Sequence, residues 1–269
     1  MPNWICATCC VEYPDSATPP SHCPICEDER QYVGANGQQW TTMAEIGKDH
    51  ANDWREAEPH MHGIGVTPAI GIGQRALLIE TPHGNVLWDC VPLIDDATRK
   101  RVESLGGIAG IAVSHPHMYA AMVSWSEAFG NAPIFLHKDD EEHVMRPSPN
   151  IRFWSGESQE MVEGITLYRC GGHFAGSTVL HWPAGAGGKG VILAGDTIQV
   201  VPDTRWVSFM RSYPNLIPLP ESKVTHIVDV VKPLAFDRLY SAWWGRVVET
   251  DANAAVLRSA ERYIRAITD

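Results

Sequence analysis

The chain has 269 residues, 44% hydrophobic and 20% charged, enough to bury one large core with a small appendage. Its 32 Asp and Glu outnumber 21 Lys and Arg, and the resulting formal charge of −11 argues against nucleic acid or an anionic membrane as partner. The start, MPNWICATCC, has no apolar stretch of signal-peptide length and no run of about 18 apolar residues occurs, so a soluble, cytoplasmic protein is expected.

Residues 1–33 stand apart, rich in cysteine and proline and poor in aliphatics. Four of the seven cysteines form Cys6-x2-Cys9 and Cys23-x2-Cys26. A CxxC turn presents two thiolates from one tight loop, and two such turns make a closed zinc site that can fold a segment too small to fold on a core. A closed site is structural, although the same ligands can hold iron and pass electrons. Cys10, beside Cys9, leaves the ligand register open by one residue, whereas Cys90 and Cys170 end apolar runs and read as buried hydrophobes. Residues 34–61 are polar and read as a linker, and 62–269 as the main domain.

Within that domain RALLIE, the turn TPHG and NVLWDC predict a β-hairpin, and LIDDATRKRVESLGG a helix stopped by glycine. IAGIAVSH is a buried strand, MYAAMVSWSEAFG a helix and APIFLHK a strand. ITLYRC, TVLHW and VILAGD follow as strands, with the turn AGAGGKG before the last. ESKVTHIVDVVK reads as a helix, RLYSAWW as a strand, and TDANAAVLRSAERYIRAI as an amphipathic closing helix capped by Thr250 or Asp251. Hairpins mixed with strand–helix alternation suit helices covering a mixed sheet, or two sheets back to back.

Pro116 favours an extended His115-Pro116-His117, whose imidazoles would project together from a strand end. His173 follows another strand in the glycine-flanked CGGHFAGS, and Asp196 ends the apolar run VILAGD. Three histidines and an aspartate at strand ends are the makings of a metal site on a rigid sheet. His60 and His62 have no downstream partner by spacing and read as loop or cleft rim, and His22 and His83 as surface.

The order LWDC, SHPH, GGHFAGS, AGD over residues 62–269 resembles the metallo-β-lactamase superfamily, and the cysteine segment resembles a rubredoxin-like zinc ribbon. The resemblance implies an α+β fold, an αββα two-sheet sandwich with a metal site along one edge. It aligns His115, His117, His173 and Asp196 with the family's ligands, and Asp89 with an aspartate that is not usually one. Where the family motif H-x-H-x-D-H has Asp and His, this chain has Tyr119 and Ala120, and Trp243, Trp244 or Gly245 falls where a last His is expected. The three-histidine site is thus intact and the second site keeps only Asp196, which predicts one zinc in the cleft and one in the ribbon.

Zinc held by three histidines lowers the pKa of bound water to about 7, so a metal-dependent hydrolase using metal-bound hydroxide is expected. Asp196 would act as ligand or base, and Tyr119 as a hydrogen-bond donor. Trp206, Trp243 and Trp244, among ten tryptophans, are the candidate pocket walls. Arg205, Arg211 and Arg246 could reach in from loops, but no cation lies close to the motif strands, which favours a small uncharged electrophile. Resemblance to the isothiocyanate hydrolases of the superfamily offers one candidate, attacked at the carbon of N=C=S to leave an amine and carbonyl sulfide. A lactone, ester or thioester is the other. A homodimer clamped by the ribbon is expected. The competing readings are an iron-containing redox protein and a non-catalytic metal-binding module.

Overall fold

A computed structural model describes residues 1–269. Two sheets lie face to face. The first has seven strands in the spatial order Ile151–Trp154, Ile134–His137, Gly110–Ala112, Val86–Trp88, Ala76–Ile79, Met61–Thr67 and Ala51–Glu58. The second has six: Ser158–Val162, Ile165–Arg169, Thr178–Trp182, Val191–Leu193, Arg238–Tyr240 and Val247–Val248.

Side-chain alternation explains the layering. Leu77, Ile79, Val86 and Trp88 of the first sheet meet Leu167, Leu180, Val191 and Leu193 of the second in one buried cluster. The intervening Ala76, Leu78 and Leu87 point outward, into a cluster shared with Val102 of helix Asp96–Ser104 and Trp125 of helix Met122–Ala128. On the far side, Ile192 and Leu239 pack against helices Glu221–Val231 and Ala252–Thr268. Both faces of both sheets are covered, so the short strands read as continuous apolar runs. The result is the expected αββα sandwich, and no helix is long and apolar enough to cross a membrane.

The stretch read as a linker is mostly structured. Trp40–Thr41 pairs with Asn3–Cys6 of the cysteine segment, Met43–Asp49 is a helix, and Ala51–Glu58 is the edge strand of the seven-stranded sheet. ANDWREAE lacks the apolar pattern of a strand because an edge strand keeps one long side and much of one face in water and therefore carries charge. His62, read as loop, lies in the adjacent strand with its Nε2 2.8 Å from Glu80. Strands 151–154 and 158–162 are also additional to the expected elements. Asp251 stands at the N-cap of the closing helix without a side-chain cap bond, and pairs with Arg258 at 3.3 Å.

The cysteine segment does not stand off from the body. Ile5, Val11, Ile25 and the cysteines are buried in the same cluster as Met118, Met122 and Trp125. Glu12, 3% exposed, accepts from Ser124 Oγ (2.8 Å) and from Arg146 Nη1 (2.5 Å), and Arg146 also holds Glu127. Burial lifts the Glu12 carboxyl above its usual range in spite of Arg146. The Glu12 backbone N–H donates to the Ala120 carbonyl at 3.0 Å.

Candidate metal centre

All seven cysteines are free thiols. The Sγ atoms of Cys6, Cys9, Cys23 and Cys26 lie within 4.8 Å of one another, with Cys6–Cys26 at 3.5 Å and Cys9–Cys23 at 3.7 Å. Tetrahedral bonds of about 2.3 Å place sulfurs roughly 3.8 Å apart, so the set fits one ion. Tyr13 Oη and Gln38 Nε2 donate to Cys23 and Cys6 sulfurs at 3.2 and 3.1 Å, the outer contacts that orient thiolates. Hydrogen bonds from Cys23, Cys26 and Cys9 hold the Cys6 thiol far below its usual range. Cys10 is outside the set and packs on Gly71, where an added Cβ would meet its sulfur at 2.3 Å. Cys90 and Cys170 are buried, and burial pushes both thiols up, as inert hydrophobes require.

At one end of the sandwich the structure brings together His115, His117, His173 and Asp196, all buried, with their ligand atoms within 4.8 Å of one another. His115 follows strand Gly110–Ala112, His173 follows Ile165–Arg169, and Asp196 follows Val191–Leu193. The Ser114 carbonyl, accepting from Thr178 N–H at 2.9 Å, ties the two sheets at this end. His115 is extended (φ −172°, ψ 170°), but Pro116–Met118 is a 3₁₀ turn, not the extended segment expected. Proline restrains the residue before it while suiting the first position of a helical turn itself.

The ring orientations are fixed from behind. Ser114 Oγ lies 2.8 Å from His115 Nδ1, and His173 Nδ1 is 3.0 Å from the Met210 carbonyl, an acceptor only, which leaves His173 Nε2 as a lone pair. His173 Nε2 faces His117 Nδ1 at 3.2 Å, and His115 Nε2 faces Asp196 Oδ2 at 3.3 Å. Metal bonds of about 2.0–2.1 Å at tetrahedral angles separate ligand atoms by roughly 3.3 Å. His115 Nε2 is buried without a hydrogen-bond partner, as a ligand atom awaiting an ion would be, and so is Asp196 Oδ1, the carboxylate oxygen turned away from the histidine contact. Burial, with neighbouring histidines, keeps His117 neutral well below the usual imidazole range and brings His173 down to about 4. Phe174 packs against His115, His117 and His173 at 4.9–5.8 Å between ring centroids. The family-matched Asp89 supports the site from below, accepting from Ser114 N–H at 2.8 Å.

A cavity of about 140 Å³ opens on His117, His173 and Asp196, walled by Gln31, Tyr32, Ile72, Tyr213, Pro214 and Trp243. Trp243 lines this cavity, its indole N–H donating to the Ile72 carbonyl at 2.8 Å. Trp244 instead lies over strand Met61–Thr67, where a Cβ on Gly63 would meet it at 2.5 Å, and stacks under Arg55. Trp206 is elsewhere again, beneath Arg262 and Arg258 of the closing helix. Tyr119 does not line the cavity: its hydroxyl donates to the Asp140 carbonyl at 3.4 Å and burial raises its pKa. No Lys or Arg is among the lining residues. Arg205 pairs with Asp203, and Arg211 with Glu29.

The residues missed from sequence include the segment after Cys26. Arg30, held by Asp28 at 2.6 Å, lies 3.9 Å over the Phe174 ring and donates to the His173 carbonyl at 3.4 Å. Ser212 and Asn215 bind the backbone of Glu29–Gln31. Tyr213 Oη donates to the Asp196 carbonyl at 3.1 Å. No signal in the local sequence joins residues so far apart.

The uncharacterized protein YmaE of Bacillus subtilis (strain 168) is 51% identical over 269 residues, covering 99% of this chain and 97% of its own. The chain belongs to the YmaE family. No family model matches it. Among solved structures, DIM-1 metallo-β-lactamase aligns with a TM-score of 0.60 at 12% identity, over 81% of this chain and 98% of its own. A B3 metallo-β-lactamase with an active-site glutamic acid aligns at 0.52 and 17%, over 84% and 96%. This chain therefore has the metallo-β-lactamase fold, with a four-cysteine cluster at the N-terminus.

Proposed function

We propose that the protein is a metal-dependent hydrolase of a small, uncharged electrophile, with zinc in the cleft and zinc in the ribbon. The observation that carries this reading is the cavity itself: about 140 Å³, opening on His117, His173 and Asp196, free of Lys and Arg, and walled by Ile72, Pro214 and Trp243. Drug-sized ligands occupy roughly 300–1,000 Å³, so the substrate has only a few heavy atoms at its reacting end. An isothiocyanate group fits that description, as does a small lactone, ester or thioester. His115, His117 and His173 would hold the metal, which would supply Lewis acidity and lower the pKa of water at the site toward about 7.

The chain's own groups account for the rest. Neutral imidazoles at His117 and His173 leave their lone pairs available at physiological pH. Asp196 Oδ2 points at His115 and His173, while the buried Oδ1 has no partner and is free to accept a proton or orient a water. Ile72, Pro214 and Trp243 exclude bulk water, which strengthens each polar contact inside.

Metal content per chain and turnover of a panel of isothiocyanates, lactones, esters and thioesters test the reading together. Two zinc per chain and turnover that vanishes in His117→Ala, with the fold and the ribbon metal retained, is the expected outcome. Red protein would indicate iron in the thiolate site. Metal-loaded protein inert on the whole panel would leave the non-catalytic module in possession.

A further inference from the structure

We infer that the cysteine segment supplies a substrate-contacting residue to the cleft, Gln31, whose carboxamide accepts a hydrogen bond from an N–H or O–H that the bound molecule carries or gains. The inference rests on the hydrolase reading and adds the polar contact that the apolar walls lack.

Gln31 lines the same cavity as His117, His173 and Asp196. It is 5% exposed, and its buried carboxamide oxygen has no hydrogen-bond donor anywhere in the protein. Buried amides are ordinarily satisfied, and an exception calls for an explanation. The main chain that carries it is fixed on both sides. Gln31 N–H donates to the Asp28 carbonyl at 2.9 Å, and its carbonyl accepts from Asn215 Nδ2 at 2.9 Å. On one side, Arg30 is fixed by two bonds to Asp28 and by Phe174, and its carbonyl accepts from Ser212. A main chain tied at each residue presents one side chain, left unpartnered, to the cavity of the metal ligands. Pre-organised groups of this kind are worth most where water is excluded.

The chemistry of the carboxamide limits the ligand. An unpartnered carbonyl oxygen in a cavity that holds the Asp196 carboxylate and no Lys or Arg selects a neutral molecule with one hydrogen-bond donor, or one that acquires N–H or O–H when water adds across its electrophilic bond. A carboxylate at the same end of the substrate would be repelled.

The test replaces Gln31 by Leu, which keeps size and removes both polar atoms. If the amide is kept for a ligand, Gln31→Leu holds two metals per chain, melts no lower than wild type, and loses about tenfold or more in kcat/KM. Removing an unsatisfied buried polar group is neutral or stabilising, whereas removing a structural one is not. A second arm needs no turnover: metal-loaded protein is titrated with acetohydroxamate, which carries an N–H, and with azide, which does not. Acetohydroxamate should bind Gln31→Leu about threefold to tenfold more weakly than wild type, and azide equally. Gln31→Asn, with the same group on a shorter stem, should recover part of the loss. A lower melting point with unchanged kcat/KM, or equal acetohydroxamate affinity in the two proteins, overturns the role of Gln31 and leaves the hydrolase reading standing. Failure of wild type both to bind either probe and to turn over the panel overturns both.

Discussion

Replacing Gly195 by alanine tests whether the cleft is held from behind by Ser114. Gly195 has φ +52°, where a Cβ costs about 1–2 kcal/mol. The added methyl would sit 2.5 Å from Ser114 Oγ and 2.7 Å from its Cβ. Ser114 has little room to yield, because its N–H is bonded to Asp89 and its carbonyl to Thr178. The hydroxyl must therefore leave His115 Nδ1, the contact that orients that ring. Loss of such an outer partner lowers metal affinity by about 10–100-fold. The assay is metal content after dialysis against a chelator series, with metal retained by the four-cysteine cluster as internal reference. Gly195→Ala should fall from two metals to one at a chelator concentration that leaves wild type full. Ser114→Ala, which removes the hydroxyl without strain, should behave alike, and the two changes together should cost less than their sum. Equal retention by Gly195→Ala and wild type would refute the reasoning.

Three further outcomes follow from contacts described above. Glu12→Ala strips a buried carboxylate from Arg146 and Ser124; loss of about 3 kcal/mol, the low end because Arg146 keeps Glu127, should lower the melting point by roughly 6–12 °C. Burial raises the Asp140 carboxyl to about 6, so the folded chain binds that proton more tightly than the unfolded one and ionisation costs stability as pH rises from about 4 through 6. Asp140→Asn, still able to accept from Gly176 N–H, should therefore be more stable than wild type at pH 7.5, by on the order of 2–3 kcal/mol, with the advantage gone near pH 4 in denaturant melts. Trp243→Ala enlarges a cavity of about 140 Å³ and should shift kcat/KM about tenfold toward bulkier members of the substrate panel, whereas wild type should leave a β-lactam intact.

The candidate metal ligands were legible because each carries a local mark. CxxC spacing, a histidine pair at the end of an apolar run, a histidine between glycines and an aspartate closing a strand are all visible within a few residues. The cavity walls carry none. Gln31 and Tyr32 reach the cleft only because the chain folds back so that Arg30 meets His173, 143 residues away in sequence. Trp206 and Trp244 misled for a related reason. Both have aromatic neighbours in sequence, yet each is covered by arginines, Arg262 and Arg55, from other elements. Tyr119, adjacent to the ligand turn, spends its hydroxyl on the Asp140 carbonyl, and a backbone acceptor leaves no trace in a sequence. The edge strand Ala51–Glu58 was hidden by its charges, which is what keeps such an edge from pairing with another chain.

The single cluster in which Ile5, Val11 and Ile25 pack with Met122 and Trp125 has a consequence for where this chain can be cut. A boundary at residue 33, natural from composition, would strip the cover from the helix that follows the histidine turn and leave Arg146 facing a vacated seat. The truncated body should aggregate instead of reporting on the ribbon's role. Melting should likewise be one transition and not two, because the apolar contacts that stabilise the small part are the same ones that stabilise the large part.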